Sequence, residues 1–266
     1  MANKLLMAKT PVEAAGAKTL TAVFLAGGTE VNRLGSDIAE TADTLISLKK
    51  CAGLSGVSED AGYTEIGSMC TFQDLVEADK TPGWLKEAAL FMASRTKRNM
   101  ATIGGNIAAA RDDSYLIPAL SAAGAVIELM GSDGKTKRTG IREYTDGGFD
   151  GMLITKVIVP SKIKLVSKRY SNTAQSHAVL TMSASLTEDG IHLHGAVKNA
   201  GLLHFCDLEK RFNEEPSVSE QEIIDMVRTC TGLETADDMF GSDAYKRYLI
   251  AVTAYDLNRQ LRGKEA

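Results

Sequence analysis

One local device occurs twice in this chain and limits what it can fold into. An apolar run gives way to Gly-Gly and then at once to a small side chain carrying a hydroxyl or an amide. The first copy is Phe24-Leu25-Ala26-Gly27-Gly28-Thr29-Glu30-Val31, and the second is Ala101-Thr102-Ile103-Gly104-Gly105-Asn106-Ile107-Ala108. Glycine admits positive φ and lets an anion reach the main-chain N–H groups without meeting a Cβ. Thr29 and Asn106 add side-chain donors. Either pair alone reads equally well as an ordinary strand-to-loop turn; two together point to a clamp around a diphosphate. An alanine at Gly27 or Gly105 is then expected to cost both φ freedom and close approach.

The rest of the composition narrows the setting. The 266 residues suffice for one large or two modest domains with a real core. A net charge of −4 argues against a nucleic-acid surface. No apolar run approaches the roughly 20 residues of a membrane span, and the apolar part of the N-terminal stretch is short for a signal peptide. The four cysteines, Cys51, Cys70, Cys206 and Cys230, are scattered without a CxxC pair. That usage reads as reduced and cytoplasmic, and it leaves no clustered thiolates for an iron–sulfur cluster on this chain.

Punctuation residues predict the elements. Thr10-Pro11-Val12-Glu13 starts a helix, followed by strands at Ala22–Leu25 and Thr44–Leu48. Leu54–Val57 and Thr64–Gly67 read as a hairpin across Glu59-Asp60-Ala61-Gly62. Thr71 caps a helix to about Ala78, and Leu85–Ser94 and Leu116–Ala123 are apolar at helical spacing. Strands are expected at Ala125–Met130, Lys135–Thr139 and Leu153–Val159, with a loop over 145–151. Beyond Pro160 the texture changes to three strands, Lys164–Tyr170, Ala178–Leu186 and Ile191–Lys198. Helices follow over about 219–228 and over Asp243–Leu261, with Tyr245 and Tyr248 in the core and Lys246 and Arg247 in solvent.

In this order the motifs resemble the flavin-binding subunit of the xanthine dehydrogenase and carbon monoxide dehydrogenase family, the molybdenum hydroxylases. The resemblance rests on both glycine segments and on Ile66-Gly67-Ser68 and Leu116-Ile117-Pro118-Ala119-Leu120. It continues through Leu153-Ile154-Thr155-Lys156-Val157-Ile158-Val159-Pro160 and Ser242-Asp243-Ala244-Tyr245-Lys246-Arg247-Tyr248-Leu249. A GxGxxG fingerprint is absent, so a Rossmann reading has no support.

The resemblance implies an α+β chain. Residues 1–160 would form an FAD-binding domain of two α/β subdomains, about 1–55 and 56–160, of the PCMH/vanillyl-alcohol-oxidase-like kind. Residues 161–266 would form a C-terminal α+β domain of the CO dehydrogenase flavoprotein type, with a three-stranded antiparallel sheet and helices. It places the FAD diphosphate against Leu25, Ala26, Gly27, Gly28, Thr29, Glu30 and Val31 on one side. Thr102, Ile103, Gly104, Gly105 and Asn106 would close on the other, with Leu153 or Ile154 near the rings. Lys168 falls where many relatives place a lysine close to the isoalloxazine. Where relatives carry an aspartate before the Leu-Ile-Pro segment this chain has Tyr115, so either Asp113 reaches that place or the contact is lost.

The implied function is electron transfer within a heteromeric complex. Molybdopterin would lie on a large partner and two [2Fe–2S] clusters on a small one, with electrons leaving FAD for NAD or another acceptor. Two alternatives stay open, a free-standing flavin oxidoreductase and a flavin-free assembly subunit. The remaining candidates carry plainer readings. Arg95, Lys97 and Arg98 suit a solvated helix end. His192 and His194 share a strand face, and two ligands alone do not make a metal site, so no metal is expected. Asp112 and Asp113 read as a loop and helix cap.

Overall fold

Thr10 accepts a hydrogen bond from the Glu13 N–H at 3.1 Å, with Pro11 in the first helical position, so the first cap forms as the local sequence dictates. The computed structural model describes residues 4–149 and 151–263. The N-terminal reading at 1–3 and Asp150 of the expected 145–151 loop lie outside the described residues. In chain order the elements begin with β1 (Lys4–Met7), α1 (Pro11–Gly16), β2 (Ala22–Leu25), α2 (Ile38–Thr41) and β3 (Thr44–Ser47). There follow β4 (Val57–Asp60), β5 (Tyr63–Gly67), α3 (Phe72–Glu77), α4 (Gly83–Leu90), α5 (Arg95–Arg98), α6 (Ile103–Ala109) and α7 (Ile117–Ala122). Next come β6 (Val126–Met130), β7 (Thr136–Gly140), α8 (Ile141–Thr145) and β8 (Leu153–Pro160). The chain closes with β9 (Lys164–Tyr170), β10 (Leu180–Thr187), β11 (Gly190–Val197), β12 (Gly201–His204), α9 (Cys206–Glu214), α10 (Glu220–Thr229) and α11 (Asp243–Leu261).

The chain forms two compact units. One comprises residues 1–82, 94–109 and 124–161; the other comprises 83–93, 110–123 and 162–266. A linear reading draws one cut near 160, whereas here two short helical segments from the first half group with the C-terminal strands. The first unit holds a parallel three-stranded sheet, order β1-β3-β2. Ala14 and Ala15 of α1 pack with Ile46, Leu54 and Leu153 in its core. It also holds an antiparallel five-stranded sheet, order β4-β5-β8-β6-β7. β8 is its central strand, and its apolar run Leu153, Ile154, Val157, Val159 is buried throughout.

The second unit is a four-stranded antiparallel meander, β12-β11-β10-β9, not the three strands expected. The added strand, β12, is short and begins with Gly201 at φ +96°, so its four residues carry too little alternation to be read alone. β10 shows why both faces are covered. Met182 and Ala184 join the core built with Leu249, Ile250, Ala254 and Leu257 of α11. Thr181, Ser183 and Ser185, small and buried, face away, and Ser185 Oγ donates to the Ala122 carbonyl at the end of α7. Period two on one strand thus separates an apolar face from a small polar one.

Several local expectations change. The hairpin turns at Ala61-Gly62, both at positive φ, so its first strand is Val57–Asp60, polar and mostly exposed, and not Leu54–Val57. On α11 the expected burial is inverted: Tyr245 and Tyr248 are exposed, and Lys246 is only 1% exposed. Lys246 Nζ meets Asp238 and the Ala236 carbonyl (2.9 Å), while Arg247 donates to the carbonyls of Val227, Cys230 and Leu233. A buried cation is tolerated when carboxylate and carbonyl oxygens surround it. Sequence spacing cannot show that carbonyls left open by a distant loop converge on one helix.

Candidate functional site

The two glycine pairs sit in different kinds of backbone. The first follows β2 as a loop, and of its two glycines Gly28 takes positive φ (+77°). Gly27 serves packing: a Cβ there would lie 1.7 Å from the Met100 carbonyl oxygen. The first loop therefore presses directly on the backbone that leads into the second pair. The N–H groups of Gly27, Gly28 and Thr29 make no hydrogen bond to the described residues, while Glu30 pairs with Arg33 at 2.9 Å. Successive main-chain N–H groups without protein acceptors are the kind of donor set an anion uses.

The second pair is not a loop but the opening turn of α6. Its N–H groups are already engaged: Ile103 donates to Cys70 O (2.9 Å), Gly104 to Ser68 O (2.9 Å), Gly105 to Thr102 Oγ1 (3.1 Å) and Asn106 to Thr102 O (2.9 Å). This corrects the expectation that both segments clamp an anion through main-chain donors. Neither Gly27 nor Gly105 has positive φ, so the expected loss of φ freedom on substitution applies to Gly28 alone. Gly104 is needed because a Cβ would meet Ser68 Cβ at 2.7 Å and Ser68 O at 2.8 Å. A Cβ on Gly105 would meet only Thr102 Oγ1, at 2.9 Å.

Between these elements lies a cleft of about 80 Å3, lined by Phe24, Ala26, Leu48, Ser68, Met69, Gly104, Gly105, Ala108, Tyr144, Met152, Leu153 and Ile154. It brings together Ala26, Gly104, Gly105, Leu153 and Ile154 from the sequence-derived set. Ser68, Met69, Tyr144 and Met152 were not singled out there, although Ser68 ends the Ile66-Gly67-Ser68 motif. Ser68 Oγ is buried without a hydrogen-bond partner, an arrangement that costs free energy unless something in the cleft meets it.

Three candidates fall in the second unit. Asp113, 6% exposed, is a hub: Arg111 reaches its two oxygens at 2.8 and 2.9 Å, His177 Nδ1 lies at 2.7 Å and Lys198 Nζ at 3.5 Å. Burial pushes its carboxyl upward, but the Arg111 bonds, with Lys198 and His177, prevail and hold it below the usual carboxylate range. Asp112 binds Lys198 Nζ (2.7 Å) and the Asn199 N–H (2.8 Å). The pair thus ties the segment after α6 to the end of β11, and the loop-and-cap reading gives way to a buried ion-pair network. Tyr115 is raised by burial, and the Arg169 guanidinium lies 5.3 Å from its ring centre. Lys168 on β9 forms an ion pair with Asp256 of α11. In α5, Arg95 and Lys97 are exposed, as a solvated helix end requires, with Arg95 pairing with Glu77 at 3.2 Å, while half-buried Arg98 donates to Gln73 of α3.

Residues 5–162 match the family model for the FAD binding domain in molybdopterin dehydrogenase. The chain is 35% identical over 255 residues to the uncharacterized protein YgfM of Escherichia coli (strain K12), spanning 92% of this chain and 90% of that one. It is 32% identical over 179 residues to the carbon monoxide dehydrogenase medium chain of Afipia carboxidovorans, spanning 60% and 61% of the two chains. Its fold is similar to that in carbon monoxide dehydrogenase from Hydrogenophaga pseudoflava, with a TM-score of 0.85, 18% identity and coverage of 100% and 99%. Quinoline 2-oxidoreductase from Pseudomonas putida 86 gives a TM-score of 0.84 at 18% identity, with coverage of 99% and 98%. At that identity the structural likeness speaks for the fold. Among the described residues no helix is long and apolar enough to cross a membrane.

Proposed function

Because the chain belongs to the family of FAD binding domains in molybdopterin dehydrogenases, we propose that it is the electron-transferring flavin subunit of a heteromeric molybdenum hydroxylase. The observation that carries this reading is the open set of N–H groups at Gly27, Gly28 and Thr29, next to a cleft with an orphaned hydroxyl at Ser68. The chain is acidic overall, so a diphosphate must be met by oriented N–H groups and not by a basic surface. The residues present fit the cofactor. FAD, when bound, exchanges single electrons with iron–sulfur clusters and can release a pair as hydride.

The protein's own part is binding and orientation. The loop 26–31 supplies main-chain donors to the diphosphate, and Gly104 and Gly105 supply a surface free of side chains. Leu153 and Ile154 form an apolar wall that keeps water from a flat ring. Asp113 acts indirectly, by holding the backbone around Tyr115 through Arg111, Lys198 and His177. Lys168, paired to Asp256, is held in one orientation. In the complex a large partner would carry molybdopterin and a small partner the [2Fe–2S] clusters, with NAD as one candidate acceptor and the cytoplasm as the setting.

The test is flavin content and co-purification of the full chain expressed with its neighbouring genes. One FAD per chain, with a molybdenum-bearing and an iron–sulfur partner, is the expected result. FAD without partners would favour a free-standing oxidoreductase, and partners without FAD a flavin-free assembly subunit. In the apo protein, FAD at about 100 times its dissociation constant should add about 2.7 kcal/mol of stability; no thermal shift at saturation would overturn the assignment of the loops.

A further inference from the structure

The hairpin that joins β11 to β12 places His194 directly across from His204. The two imidazoles lie nearly parallel, 9° apart in plane, with ring centres 4.3 Å apart. Helix α9 starts two residues after His204, and its first turn carries Glu209 back toward the pair. Glu209 Oε1 lies 2.8 Å from His204 Nε2, and the Leu193 N–H donates to the same oxygen at 2.5 Å, which holds the carboxylate in place. One ligand atom from each of His194, His204 and Glu209 falls within 4.8 Å of the others. The His204 and Glu209 side chains are only 21% and 13% exposed.

We propose that His194, His204 and Glu209 form a binding site for a divalent transition-metal ion of the zinc class. Two imidazole nitrogens with one carboxylate oxygen are a borderline donor set that suits Zn²⁺, Co²⁺ or Ni²⁺ and is too nitrogen-rich for Ca²⁺ or Mg²⁺. Three protein ligands leave one tetrahedral position open, the pattern of zinc sites that accept water or a ligand. That position adjoins a groove of about 720 Å3, whose lining includes His204, Cys206 and Cys230. Cys206 Sγ lies 3.1 Å from His204 Nδ1. With Nε2 directed at the ion, Nδ1 keeps its proton and donates it to that sulfur, so the contact fixes ring and tautomer as outer-shell partners of metal-bound histidines do.

Glu209 meets His204 directly, and His194 stacks on that ring. A metal ion lies in the plane of each imidazole that binds it, so loading the site turns the His194 ring out of the stack toward the ion, and the number of imidazoles bound to the metal reads that movement.

The experiment uses the untagged full-length protein with its flavin, stripped by a chelator and titrated with Co²⁺ followed by visible absorption, then with competing Zn²⁺. Expected are one ion per chain, intense tetrahedral Co²⁺ bands, and affinity at least tenfold weaker in His194→Gln and in Glu209→Gln. Flavin absorbance and the metal-free melting midpoint report whether each variant is folded. No saturable uptake, or equal affinity in the wild type and both folded variants, overturns the site. Should a variant fail to fold, X-ray absorption of the Zn²⁺-loaded wild type decides: two imidazoles in the first shell support the proposal, and none or one refutes it.

Discussion

Gly27→Ala tests whether the first glycine is there for packing or for a ligand. The added Cβ would lie 1.7 Å from the Met100 carbonyl oxygen and 2.7 Å from its carbon. Both are backbone atoms, so no rotamer change relieves the clash. Restoring an ordinary separation of about 3.5 Å requires the two segments to part by nearly 2 Å. Overpacking of a well-packed site costs about 1–3 kcal/mol, and a clash with main chain belongs at the upper end, near 3 kcal/mol. The same displacement pulls the N–H groups of Gly27, Gly28 and Thr29 away from the cleft, so flavin is lost as well. The assay is urea unfolding of the apo protein together with FAD per chain after gel filtration. A variant as stable as wild type with full flavin would refute the packing argument. Wild-type stability with flavin lost would instead mean that Gly27 faces the ligand.

Gly105→Ala should behave differently: its Cβ meets only a hydroxyl, and the helix gains about 1 kcal/mol in propensity, so the melting midpoint stays near wild type while flavin content falls. Asp113→Asn breaks a buried hub and should cost about 3 kcal/mol, the lower end for a buried pair because Arg111 and His177 stay partly wet. Since the folded carboxyl is held low, its stabilisation is fully present above the unfolded value near pH 4 and fades as pH falls toward the folded one. The stability gap between wild type and variant, measured by urea unfolding across pH, should therefore be flat near neutrality and close only in acid. Burial raises the thiols of Cys51 and Cys70, so Ellman's reagent at neutral pH should label exposed Cys206 first and those two only on unfolding.

The sequence alone determined the elements whose signals are local. The caps at Thr10, Thr71 and Ser219 each accept from the N–H three residues on, as their side chains require wherever they sit. The apolar run of β8 likewise carried its strand, and the strand expected over Ile191–Lys198 put His192 and His194 on one face. The order of the motifs carried the family.

Tertiary structure decided everything that depends on what a residue meets. Whether a glycine serves φ, close approach or a ligand depends on the atoms opposite it, and Met100 and Ser68 are far from Gly27 and Gly104 in sequence. The second glycine pair became helix because Cys70, Ser68 and Thr102 supply acceptors for its first N–H groups. Lys246 could be buried because Asp238 and the Ala236 carbonyl converge on it. His194 gained its partners only when a four-residue strand and the following helix turned His204 and Glu209 toward it. Local patterns record what a residue prefers, and long-range contact sets what it is used for.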